Sequence, residues 1–101
     1  MKILASLALA VSLSANAAGN DQNVCAHFAE IGRSAAHANA KGVSEWGALR
    51  AWQNLADSAT GRASDAVFAM GVLEIRAVYK NGDVDEGVGY WTAYNACMGA
   101  T

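Results

Sequence analysis

Apolar side chains recur along residues 22–41 as Val24, Phe28, Ile31, Ala35 and Ala38, a 4-3-4-3 spacing that lines one face of a helix. Asn20 or Asp21 can cap its start, and Lys41-Gly42 supplies a last-turn cation and a glycine stop. Ser44 then reads as the N-cap of a second helix, with Glu45 in its first turn and Val43 placed to staple onto Ala48. The face of that helix is Leu49, Trp52, Leu55, Ala56 and Ala59, and Gly61 closes it. Ser64-Asp65 opens a third segment, with Phe68, Val72, Ile75 and Tyr79 on one side.

Residues 72–91 carry two patterns at once. Leu73, Ile75, Ala77 and Tyr79 alternate with Glu74, Arg76 and Val78, and Asn81-Gly82 is a favoured two-residue hairpin turn. The helical reading ends one helix at Lys80-Asn81-Gly82 and caps the next at Asp83, with Glu86 completing a D-x-x-E box. It gives helices over 72–80 and 83–98, the second with Val84, Val88, Trp91 and Met98 on one stripe and Tyr90, Tyr94 and Cys97 on the adjoining one. The absence of proline and the abundance of alanine favour this reading. The alternative is an α+β chain with a hairpin at 72–91.

The first residues change the picture of where the chain works. Lys2 precedes an apolar run from Ile3 to Leu13, and Ala15-Asn16-Ala17 has the small-x-small form that signal peptidase cleaves. The run is too short for an anchor, which needs about 20 apolar residues. Residues 1–17 therefore read as a signal peptide and 18–101 as one small domain, mature from near Ala18 and periplasmic or secreted. Four helices joined by short turns place the start of the first beside the end of the fourth. Cys25 and Cys97, the chain's two cysteines, fall at those positions, and an oxidising compartment favours a disulfide between them.

Charge and motifs remove several functions. Seven Lys and Arg stand against nine Asp and Glu, and the basic residues are scattered singly, so nucleic acid and anionic membrane have no electrostatic partner here. Cys25 and His27 diverge on a helix and His37 lies out of register with His27, which leaves no zinc-ligand set and both histidines on the helix surface. Glu30 and Arg33 are spaced as a solvated ion pair. Asn81, Asp83 and Asp85 fit the first ligands of a calcium loop, but Glu86 and Thr92 stand where glycine and glutamate belong, so capping explains the acids better.

Glu74, between Leu73 and Ile75, is expected at the edge of an apolar face and paired across helices. Its other reading is an acid of raised pKa. Trp46 and Trp52 are six apart, roughly 120° around a helix, so if Trp52 is inside then Trp46 is near the surface. Tyr90, Trp91 and Tyr94 crowd one turn, and such rings dominate binding hot spots.

Cys25, a helix closing on Ala40-Lys41-Gly42, then Ala77-Val78-Tyr79 and Tyr94-x-x-Cys97 together resemble a diffuse group of small exported bacterial and phage-encoded proteins. The resemblance implies a helical, single-disulfide fold and no assigned activity. Lys80-Asn81-Gly82 stands where that group has a proline after the tyrosine, and the first helix is Ala-rich where theirs is Arg-rich. In size the chain is also similar to exported acid-stress chaperones and to phage periplasmic lysis or lysozyme inhibitors.

These readings point to an all-α, small four-helix up-down bundle closed by one disulfide. The expected function is non-catalytic: binding or inhibition of another macromolecule, a periplasmic protein, through Trp46, Tyr90, Trp91 and Tyr94. No cofactor, metal, nucleic acid or stable membrane insertion is expected. Two rival classes are a periplasmic stress chaperone, which would open in acid, and a small hydrolase-type enzyme using Glu74 with a histidine.

Overall fold

The structure, a computed structural model, describes residues 22–58 and 64–99. The segment 1–21, the Asn20 and Asp21 caps, Ala59 and Gly61 lie outside the described residues. Among the described residues four helices follow one another: α1 (Gln22–Ala40), α2 (Glu45–Ser58), α3 (Asp65–Asn81) and α4 (Glu86–Gly99). No strand occurs among the described residues, and 72–80 lies in the C-terminal half of one continuous helix rather than in a hairpin.

Local chemistry explains the breaks. Gly42 and Gly82 both take the left-handed conformation that other residues resist, at φ 84° and 72°. The Gly42 and Val43 amides donate to Asn39 and Ala38 carbonyls, while Gly82 and Asp83 donate to Tyr79 and Val78. Each pair is a Schellman stop. Ser44 Oγ accepts from the Gly47 amide at 3.0 Å and Ser64 Oγ from Val67 at 3.2 Å, so both serines cap as expected.

The start of α4 differs. Asp85, not Asp83, is its N-cap, with Oδ1 accepting from the Val88 amide at 3.0 Å. Asp83 is spent on the preceding stop: its amide closes α3, and its Oδ1 accepts from Asn81 Nδ2 at 2.7 Å. No D-x-x-E box forms, and the second helix begins at 86 rather than 83.

α1 and α4 form the main seam. They run antiparallel, as shown by Cys25 bonded to Cys97 at one end and His37 bound to Glu86 at the other. Between these points Gly32 meets Gly89 and Ala93, and a Cβ on Gly89 would lie 2.5 Å from both the Ala36 Cβ and the Gly32 carbonyl oxygen. Only glycine permits that approach. α3 packs on α1 and α4, and α2 packs chiefly on α3, hardly touching α4.

Trp52 joins α2 to α3. Its indole occupies the space left by Gly71, lies parallel to Phe68 at 6.4 Å, and donates from Nε1 to the Phe68 carbonyl at 3.0 Å. Tyr79 ties the other end of the pair through its hydroxyl, which donates to the Val43 carbonyl at 2.8 Å. The core between the helices is Ala35, Ala36, Ala48, Ile75 and Val78, flanked by Ile31, Leu49, Trp52 and Tyr79.

The buried faces are rotated from the expected ones. α1 buries Cys25, Ala29, Gly32, Ala35 and Ala36, while Val24, Phe28 and Ile31 are half-buried. α3 buries Gly71, Glu74, Ile75 and Val78. Leu55, expected inside α2, is exposed. The close seam selects side-chain smallness, and the larger apolar residues sit around its rim.

Candidate interaction surface

α4 has two apolar faces of opposite character. Its inner face is Gly89, Ala93 and Cys97, all small and buried against α1. A helix whose inner face is filled by small residues must carry its large apolar side chains elsewhere, and here they point out. Val84 in the preceding turn, Val88 and Trp91 are 58%, 49% and 58% exposed, a 4-3 spacing on the outward side. Sequence reasoning placed Val84, Val88 and Trp91 on one stripe without fixing which way it faces, and put Trp91 in the expected interaction surface. The signal that separates the faces is the register of Gly89, Ala93 and Cys97 against Ala29, Gly32 and Ala36.

Trp91 is held by its neighbours. Its ring meets Tyr90 edge-on at 5.1 Å and Tyr94 edge-on at 5.3 Å. The two tyrosines are themselves near parallel, 6.5 Å apart. Arg33 of α1 lies 4.9 Å over the Tyr90 ring while its Nε donates to Glu30 at 3.0 Å. The Glu30–Arg33 pair thus does more than solvate a surface: it fixes a cation on the aromatic turn.

Trp46 is 67% exposed and sits apart on α2, with the Arg50 guanidinium 5.7 Å over its ring. Among the described residues no ring contact joins it to Tyr90, Trp91 or Tyr94. The four aromatics proposed from sequence therefore fall in two separate places, one on α2 and a denser group on α4.

Glu74 does not sit at the edge of a face, and among the described residues it has no cross-helix partner. It is fully buried, and neither carboxylate oxygen has a hydrogen-bond partner among the described residues. Burial alone pushes its pKa from 4.5 up to about 9, because the charged form loses its water without gaining a counter-charge. His27 and His37 are exposed, and His37 Nδ1 is 2.8 Å from Glu86 Oε2, so neither histidine is brought to Glu74.

The acidic turn after α3 is a junction. Asn39 Nδ2 donates to the Asp83 carbonyl at 2.8 Å, linking α1 to this turn, while Asp85 caps α4. Among the described residues, no group of three or more His, Cys, Asp or Glu could hold a metal ion, and no helix is long and apolar enough to cross a membrane. No protein-family model, curated protein or solved structure matches the chain.

Proposed function

We propose that this is an exported, non-catalytic binding protein that presents the outer face of α4 to another protein. One observation carries the reading: Trp91 is more than half exposed yet braced on two tyrosines. A large ring already ordered in the free protein loses little freedom on binding, so its burial in a partner is converted efficiently into affinity. Val84 and Val88 extend the apolar strip beside it, and contiguous exposed apolar surface marks interaction sites. Export is supported by the leader-like pattern of residues 1–17 and by the Cys25–Cys97 bridge, which suits an oxidising compartment.

The test is affinity capture from periplasmic extract with the oxidised chain 18–101, as wild type, Trp91→Ala and Trp46→Ala. A partner retained by wild type and by Trp46→Ala, and lost from Trp91→Ala, is the expected result. Near-ultraviolet circular dichroism and the unfolding midpoint verify that Trp91→Ala remains folded. Equal retention by Trp91→Ala would overturn the α4 site, and loss on Trp46→Ala alone would move the surface to α2.

A further inference from the structure

We propose that Glu74 is a protonation-dependent latch: uncharged, it lets α3 seat in the bundle, and its ionisation loosens that seat, so the fold is held most firmly in acid. This goes beyond the binding role and is independent of it. The geometry is that of a carboxyl group sealed inside. Gly71, one turn before Glu74, and Val78, one turn after it, are buried on the same side of α3, and Glu74 between them is fully buried. Neither oxygen finds a donor among the described residues. An acid so placed is tolerated as the neutral species and strongly disfavoured as the anion.

Among the described residues, the charged groups of the helices packed against α3 are engaged elsewhere or exposed. On α1, Arg33 is bound to Glu30, His37 to Glu86, and His27 is exposed. On α2, Glu45 is 3.9 Å from Arg76, Arg50 lies over Trp46, and Asp57 is exposed. α4 contributes the charge of Glu86 alone, and Asp83 in the turn before it is held by Asn81. Burial is the cause of the shift to about 9.

The sign follows directly. Below the ordinary value of 4.5, Glu74 is neutral in folded and unfolded chains alike and adds no pH-dependent cost. Between that value and about 9 the unfolded chain releases the proton while the folded chain must keep it. Stability is then lost as pH rises, and one proton of difference multiplies the unfolding constant about tenfold per pH unit. A chaperone that opens in acid needs the opposite sign, so this latch opposes that class.

The experiment is urea unfolding of the oxidised chain 18–101, wild type and Glu74→Gln, across pH 5.5 to 7.5. The glutamine variant keeps the shape and cannot ionise. Over those two units the wild-type unfolding constant is expected to rise roughly a hundredfold more than that of Glu74→Gln. Carbon-13 titration of the Glu74 carboxyl in the native wild type provides a readout that needs no variant, with an expected midpoint well above 7. Equal pH slopes for the two proteins, or a carboxyl midpoint near 4.5, would overturn the latch.

Discussion

Gly32 and Gly89 set how close α1 and α4 approach, and through that distance they set which side chains face outward. A methyl group on Gly89 collides with the backbone of Gly32 and the side chain of Ala36, neither of which is the free end of a flexible chain. Gly89→Ala is therefore expected to destabilise by about 1–3 kcal/mol, as overpacking does, even though alanine is the better helix former. Gly99→Ala is the control: a Cβ there meets nothing within 4 Å, and its unfolding midpoint in urea should stay close to wild type. A neutral Gly89→Ala would mean that the seam is looser than described. At this scale sequence patterning misled, for a physical reason. Counting large apolar residues selects Val24, Phe28 and Ile31 as the inner face of α1, whereas a close antiparallel seam excludes bulk and buries Cys25, Ala29, Gly32 and Ala36. Glu74 was expected at the edge of a face; its apolar neighbours supported only the alternative of an acid of raised pKa, and spacing did not announce a fully buried carboxyl without a hydrogen-bond partner among the described residues.

Helix ends were more legible than helix faces, because a cap is a short-range event between neighbours in sequence. Gly42 and Gly82 stop α1 and α3, and Ser44 and Ser64 start α2 and α3, where turn chemistry placed them. Asp83 was misread because two local motifs compete for it, and the Schellman stop takes its amide before a cap can form. Replacing Gly82 by alanine forces a left-handed residue with a Cβ and should cost about 1–2 kcal/mol. Asp85→Ala removes the acceptor for the Val88 amide and should cost about 1 kcal/mol, the usual worth of an N-cap. Both are read from urea midpoints at constant pH. If Asp83→Ala rather than Asp85→Ala frayed the first turn of α4 in amide exchange, the cap assignment would be wrong.

The molecule closes by joining its two ends, and that feature was readable because topology and compartment pointed the same way. Up-down connectivity brings the first helix beside the last, and the two cysteines lie where the ends meet, with Cα atoms 5.5 Å apart. Both are fully buried, so the bridge belongs to the seam. A domain of this size buries a modest core and gains much from a covalent link. The bridge spans a separation of 72 residues, for which the chain-entropy model gives about 4.4 kcal/mol. Engineered bridges often deliver less, so Cys25→Ala with Cys97→Ala should lower the unfolding free energy by at least roughly 2 kcal/mol. Because native burial shields the sulfurs, reductant should act slowly on the folded protein and rapidly once urea exposes them. Thiol titration of the unreduced, denatured chain should find no free thiol. Two free thiols there, or a double variant as stable as wild type, would show that the small-residue seam holds α1 to α4 without the bridge.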